Sequence, residues 1–405
     1  MKRFDPMEAM ASIRHEFGEH GGVNMSIEAS TTFTVMQAMT MPEIFHGLRG
    51  PDEGGCYLYG RHYNPTVYAL AHQLAAMEAT ENAYCTASGI SAIAATIFQL
   101  CRTGDHVVAS KTIYGGSYAL LHNFLPERSG EKTTFVDAGN LDEVERAFTP
   151  RTRVLYVETV ANPTLEVADL PSLARIAHQH GAALVVDNTF SPLMVTPSLH
   201  GADVVVHSLT KFVSGSSDII AGVVCGSREF ISSMMDVTSG ALMLLGPTMD
   251  PRVAFELSTR LPHLGVRVAE HSRRALAMAE LLERAGLAVH YPGLASHPHH
   301  ERLRALMNPG FGWGGLIAVD LKTLERANRF MEHLQLNEKF GFIAVSLGFT
   351  DTLMSASASS TSSEMSEEDL AHAGISPGLV RISVGITGAL EQRLAQLENA
   401  VRAIR

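Results

Sequence analysis

Past residue 63 the apolar positions settle into two alternating rhythms. Behind Pro65, which suits a first helical turn, Val67, Leu70, Leu74 and Met77 recur at helical spacing. Short apolar runs then alternate with helical stretches; the runs are 106–110, 133–136, 154–157, 183–186, 204–206 and 219–225. Several are Val-rich and almost continuously apolar, as expected for strands covered on both faces. One intervening helix is well punctuated, with Asp169 as cap, Pro171 early, Leu173, Ile176 and Ala177 on one face and Gly181 as the stop. Strand, helix, strand repeated in this way predicts a mostly parallel sheet in a doubly wound α/β domain.

The texture changes near residue 258. Longer helices, 268–285 and 324–334, are joined by strand-like stretches at 315–321 and 380–384, which predicts a smaller α+β domain. Residues 1–63 lack sustained periodicity and carry Gly21-Gly22, Pro42, Gly50-Pro51 and Gly54-Gly55, the pattern of an irregular arm. The expected division is therefore an arm over 1–63, a large domain over 64–257 and a C-terminal domain over 258–405. No repeat of solenoid period is present. The Ser-rich tract 355–363 reads as a flexible linker from its composition.

Charge narrows the partners. The 405 residues hold 31 Lys and Arg against 42 Asp and Glu, a formal net charge of −11, and no clustered basic stripe overrides that sum. Nucleic acid and anionic membrane surfaces are poor partners for such a chain. At 46% hydrophobic and 18% charged it has globular composition. The most apolar stretch, 92–101, is far short of the ~18 residues that span a bilayer, and Lys2-Arg3 is followed by Asp5 and Glu8, so neither an anchor nor a secretion signal is expected. Cys56, Cys85, Cys101 and Cys225 form no C-x-x-C pair and have no His at zinc-finger spacing, which fits reduced thiols in the cytoplasm. His297, His299 and His300 flank Pro298, which favours a solvated loop over a metal site, and the 18 methionines read as core filler.

Five features carry candidate chemistry. Ser208-Leu209-Thr210-Lys211 directly follows the run 204–206 and so emerges at a strand's C-terminal end, where open α/β sheets bind ligands. A lysine there can join covalently to an aldehyde cofactor while Ser and Thr hydroxyls hold its phosphate. Taken alone, the four residues fit an ordinary surface loop better. Asp187 ends another Val-rich run and could pair with a protonated pyridine nitrogen, or simply cap the turn before Pro192. At ~3 Å and an effective dielectric of about 20 such a pair gains roughly 5 kcal/mol before desolvation. Ser88-Gly89-Ile90 sits where a short run meets a helix beginning near Ser91, the form of either a phosphate cup or a common turn. Tyr114 precedes Gly115-Gly116, so its ring could lie on a flat cofactor and its hydroxyl act as an acid. Arg381 lies in the strand-like stretch 380–384, where its fork could grip an α-carboxylate or form an exposed ion pair.

In this order the segments resemble, from end to end, the γ-family of fold-type I pyridoxal-phosphate (PLP) enzymes, the Cys/Met-metabolism group. The matching segments are Tyr59-Gly60-Arg61 with Asn64-Pro65-Thr66, Ala87-Ser88-Gly89, Tyr114-Gly115-Gly116, Glu158 with Asn162-Pro163, Asp187-Asn188-Thr189, Ser208 to Lys211, Ser346-Leu347-Gly348, and Ser376-Pro377-Gly378 through Arg381. The resemblance implies an aspartate-aminotransferase-like fold. It implies that Lys211 carries PLP and later moves protons, that Asp187 pairs with the ring nitrogen, that Asn162 reaches the phenolic oxygen and that Tyr114 stacks on the ring. The phosphate is expected on Ser88, the Gly89 and Ile90 backbone, Ser208 and Thr210, with Tyr59 and Arg61 supplied by the neighbouring subunit. A homodimer is then the minimal active unit, and two such dimers are expected to pair into a homotetramer. Ser346 and Arg381 are expected to hold the substrate carboxylate, and Tyr114 to protonate the leaving group.

Segments 240–248 and 260–264, with the Ser-rich tract after Thr352, are similar to the plant-type methionine γ-lyase subgroup. Gly116 departs from the cysteine that bacterial methionine γ-lyases carry there. The implied reaction is γ-elimination from methionine or a relative such as homocysteine or canavanine. γ-Replacement, as in cystathionine γ-synthase or O-acetylhomoserine sulfhydrylase, is the alternative, and a family member that binds the cofactor without turnover is a third reading.

Overall fold

The computed structural model describes residues 3–13, 18, 20–51, 57–360 and 366–404. Lys2, Cys56 and the 361–363 end of the Ser-rich tract lie outside the described residues.

The larger sheet holds β1 (Asn82–Thr86), β2 (His106–Ser110), β3 (Lys132–Val136), β4 (Thr152–Glu158), β5 (Ala183–Asp187), β6 (Val204–Ser208) and β7 (Gly222–Gly226), in the order β1-β7-β6-β5-β4-β2-β3. Strands β2 to β6 run parallel, with helices between them, and β5 and β6 carry the Val-rich runs buried on both faces. β7 is antiparallel to both β1 and β6. Residues 209–221 contain no crossover helix, so the chain re-enters the sheet at the edge it left and must run the other way. The strand expected from Ile219 therefore starts at Gly222, and Ile220 stays 71% exposed in the turn.

Helix ends follow local chemistry. α1 (Pro65–Met77) is capped by Asn64, whose side chain accepts the Thr66 and Val67 amides. α2 (Gly89–Leu100) is capped by Ser88, and α3 (Gly115–Ala119) follows Tyr114. α4 (Leu170–Gln179) begins at Asp169, which accepts the Ser172 amide, and stops before Gly181 at φ +68°.

The smaller sheet, order β10-β11-β12-β9-β8, holds β8 (Ala288–His290), β9 (Leu316–Asp320), β10 (Phe342–Ile343), β11 (Leu353–Ala356) and β12 (Leu379–Ser383). Its core of Val319, Phe330, Ile382 and Leu397 is separate from that of the larger sheet. α5 (Leu264–Arg284) joins the two, since Arg267 donates to the Phe212 and Val213 carbonyls and His271 bonds the Val384 carbonyl.

Two sequence expectations need correction. The Ser-rich tract is not a linker where it is described, because Ser355 lies in β11 and both Ser355 and Ser357 are buried. Serine is small enough to fill a strand position against a neighbouring layer, so composition misleads here. His297 to His300 are packed rather than solvated. His297 is buried, His299 accepts the Val167 amide at 3.0 Å, and the His300 ring stacks on Trp313 at 4.3 Å. Among the described residues no three His, Cys, Asp or Glu side chains gather to hold a metal ion, and no helix is long and apolar enough to cross a membrane. Cys85, Cys101 and Cys225 are buried thiols outside any disulfide.

Candidate active site

The C-terminal edges of β4, β5 and β6, the start of α2 and the loop before β11 enclose a cavity of about 430 Å³. Ser88, Gly89, Ile90, Tyr114, Asn162, Asp187, Ser208, Thr210, Lys211, Ser346 and Arg381 all line it. Eleven of the thirteen residues singled out from the sequence therefore meet in one place. The other two, Tyr59 and Arg61, do not: Arg61 donates to the Met243 carbonyl at 2.7 Å, and its guanidinium lies 5.7 Å over the Tyr59 ring.

Lys211 leaves the edge of the sheet just beyond β6, and its Nζ donates to Ser346 Oγ at 3.0 Å. Burial lowers its pKa to about 8, helped by the positive charge of Arg381 and opposed by Asp187. Asp187 ends β5 beside Glu158 at the end of β4, in register. Its carboxylate accepts the Thr189 amide at 2.9 Å and the Tyr156 hydroxyl at 3.4 Å. Glu158 accepts the Tyr114 amide at 2.7 Å and the Asn162 amide at 2.8 Å. Burial raises the pKa of both carboxyls. A cation placed against Asp187 would relieve that cost.

In the sequence Glu158 enters only as part of a family match, and its structural role is not read there. It fixes the backbone of Tyr114 and Asn162 at once. A signal is available, since Glu158 ends a Val-rich strand just as Asp187 does. The Tyr114 ring lies across Gly116, where an added Cβ would sit 2.5 Å from ring carbon Cε1. Glycine at 116 therefore makes room for the tyrosine.

On the opposite wall, the Ser88 hydroxyl accepts the Ser91 amide at 3.2 Å and leaves the first-turn amides of Gly89 and Ile90 at the helix's positive end. Gly89 packs so closely on β6 that a Cβ would lie 2.6 Å from Ser208 Cβ. Thr210 lines the cavity, and its Oγ1 accepts the Ala221 amide at 3.0 Å, which ties the Lys211 loop to the approach to β7. Arg381, in β12, is 2% exposed. It donates from Nη1 to Asn162 Oδ1 at 3.0 Å and from Nη2 to the Ser346 carbonyl at 2.9 Å.

These residues fit PLP. An amine of lowered pKa, a buried carboxylate that forms no salt bridge among the described residues, and a helix start that opens on a glycine all line one cavity. The profile of the family described as Cys/Met metabolism PLP-dependent enzyme matches residues 8–402. The chain belongs to that family. The Cys/Met-metabolism chain is 56% identical over 397 residues to a methionine gamma-lyase of Arabidopsis thaliana, covering 98% of this chain and 90% of that protein. It is 38% identical to an L-methionine gamma-lyase of Pseudomonas putida, covering 98% of each. Its fold matches a Campylobacter jejuni structure assigned as an O-acetylhomoserine (thiol)-lyase, with TM-score 0.90 and 26% identity over 98% of this chain and 100% of that one. That structure contains N'-pyridoxyl-lysine-5'-monophosphate. The chain is a PLP-dependent enzyme of fold type I.

Proposed function

We propose that the enzyme performs γ-elimination on L-methionine or a close analogue. With water, methionine gives 2-oxobutyrate, ammonia and methanethiol. The observation that carries this reading is the apolar share of the cavity lining, supplied by Ile90, Ile93, Val160, Phe190, Ile220 and Val345. An apolar thioether fits that lining, whereas the charged far end of cystathionine or of a succinylated homoserine would lose its hydration there. Lys211 and Arg381 are the only cationic side chains among the described lining residues.

PLP, when bound, withdraws electrons from the substrate's α-carbon. Arg381 and the Ser346 segment hold the substrate carboxylate. Lys211 would hold the cofactor, and its amine, with a pKa lowered by burial, would take the α-proton. Asp187 would keep the ring nitrogen protonated, Asn162 would meet the phenolic oxygen, and Tyr114 would cover the ring and protonate the departing sulfur. Ser88, Gly89, Ile90, Ser208 and Thr210 form the phosphate cup. Tyr59 and Arg61 stand outside the same-chain cavity, which supports their service to the neighbouring subunit in a homodimer, paired further into a homotetramer. The arm over 1–63, the large domain over 64–257 and the C-terminal domain over 258–405 are the units of this scheme. The cytoplasm suits its unpaired buried thiols.

Incubating pure enzyme with methionine and assaying 2-oxobutyrate tests the reading; no product above a cofactor-only control rejects it. γ-Replacement is the second reading, supported by the likeness to an O-acetylhomoserine (thiol)-lyase. Supplying O-acetylhomoserine with a thiol decides for it where thioether forms faster than oxo acid.

A further inference from the structure

The Ser-rich stretch, linker-like in composition, places a hydroxyl beside the arginine of the site. β11 and β12 are antiparallel neighbours, and Ser355 stands directly across from Arg381 in their register. Residues opposed in this way send their side chains to the same face, with Cβ atoms ~5 Å apart. The flanking Met354, Ala356, Val380 and Ile382 all belong to the small domain's core, so Ser355 and Arg381 share the other face, toward the cavity.

Each of the two carries an unmet polar atom. Arg381 uses Nη1 on Asn162 and Nη2 on Ser346, and its buried Nε–H has no hydrogen-bond partner. Ser355 is 4% exposed, and its buried Oγ has no partner either. An orphaned donor and an orphaned acceptor on facing positions of one ladder are complementary, and burial makes it unfavourable to leave either unmet. Serine's Oγ can change between staggered χ1 rotamers, so a side-chain movement without backbone shift can join them. Ser357 repeats the pattern two positions on with another buried, unpartnered Oγ, and Ser360 lines the cavity itself.

We propose that Ser355 is a positioning residue for substrate recognition: its Oγ accepts the Arg381 Nε–H, directly or through one water, and fixes the plane in which the guanidinium meets the α-carboxylate. The proposal rests on the reading that Arg381 holds that carboxylate. Nη1 and Nη2 are each tied to one acceptor from a different part of the chain. A third tie at Nε stops the fork from rotating about its stem, and a bidentate grip depends on that angle.

The test uses the PLP-loaded enzyme and two unreactive analogues, L-norleucine and L-norleucine amide, with binding read from the change in cofactor absorbance. Ser355→Ala is expected to weaken norleucine about tenfold, the scale of one hydrogen bond to a charged group, and to leave the amide within twofold. Ser355→Thr, which keeps the hydroxyl, is expected to restore norleucine binding to within about threefold. For methionine turnover in Ser355→Ala, KM rises while kcat holds. Norleucine affinity unchanged in Ser355→Ala overturns the proposal, as does equal weakening of acid and amide. Arg381→Lys separates the two readings. If it weakens norleucine and not the amide, the carboxylate role of Arg381 stands and the Ser355 result is decided by its own variants; if it weakens both alike, the Arg381 reading fails, and the proposal with it.

Discussion

Gly89→Ala adds one methyl group where the start of α2 packs on β6, at the proposed cofactor cup. The ideal Cβ lies 2.6 Å from Ser208 Cβ, 2.8 Å from its Cα and 3.0 Å from its Oγ. Carbon atoms make favourable contact at about 3.5–4.0 Å, so the first turn of α2 must retreat from β6 by about 1 Å, or Ser208 must leave its place. Gly89 does not lie in the left-handed region, so the cost is steric and not one of dihedral angle. Overpacking of this kind costs about 1–3 kcal/mol of stability. The same retreat draws the Gly89 and Ile90 amides and the Ser208 hydroxyl apart, and they can no longer converge on one anion. Losing one charge-assisted hydrogen bond, about 1.5–3 kcal/mol, raises the PLP dissociation constant by about ten- to hundredfold. The assay strips the cofactor, titrates PLP back by fluorescence and melts both forms. Weaker PLP binding together with a lower apo melting temperature is expected. PLP affinity within threefold of wild type, with unchanged melting, refutes the close approach of α2 to β6 as the basis of the cup.

Asp187→Asn should keep PLP bound yet lower kcat by about 10²–10³, because a pair contributing roughly 5 kcal/mol before desolvation is lost from the ring nitrogen; stopped-flow with methionine measures it, and near-normal turnover would contradict the pairing. Tyr114→Phe should lower kcat by about 10²–10⁴ with PLP affinity retained, the size of effect expected on removing a general acid, and a substrate with a better leaving group should lose less. Stability should fall in acid. His271 and His297 are held down to about 4 by burial, against about 6.5 in the unfolded chain. Between these values the unfolded chain binds more protons, so their contribution is complete above about pH 6.5 and is lost as pH falls toward 4. Melting curves of His297→Asn across that window should show a shallower slope than wild type, and an identical slope would exclude His297 from the effect.

The larger sheet could be read in the sequence because parallel strands covered on both faces must be apolar at nearly every position, and 154–157, 183–186 and 204–206 are. The direction of β7 could not, since residue pattern records burial and not polarity of the chain. β11 was hidden for a different reason: its second half, Ser355 and Ala356, runs into a Ser/Ala-rich tract whose composition imitates a linker although both residues are buried. Lys211, Asp187 and Ser88 could be placed at strand and helix ends from the sequence, but each taken alone fitted an ordinary loop or turn as well. Their convergence with Arg381 was not legible, because the contact between Arg381 and Asn162 spans 219 residues and only the resemblance to a family joined them. Tyr59 and Arg61 mark another boundary. They lie outside the cavity of their own chain, and only the resemblance to a family, not their spacing, pointed to a role in a neighbouring copy.

Ser346 shows how the site resists its own scaffold. Its φ is +84°, in the left-handed region that suits glycine, and a residue with a Cβ held there costs about 1–3 kcal/mol. The position has to make a sharp reversal, since its carbonyl must turn to Arg381 Nη2 while its hydroxyl faces Lys211 Nζ. Glycine would keep the carbonyl and lose only the hydroxyl. Ser346→Gly is therefore expected to melt at or above the wild-type temperature, because the strain is removed and the backbone contact to Arg381 survives. On the proposal that Arg381 holds the carboxylate, norleucine affinity should change little. The pH profile of kcat should move, because the hydroxyl is the hydrogen-bond partner of the Lys211 amine and its removal alters the proton affinity of the group that takes the α-proton. A less stable variant would refute the strain at 346, and one whose pH profile coincides with wild type while norleucine binding collapses would show that the hydroxyl serves the carboxylate and not the lysine.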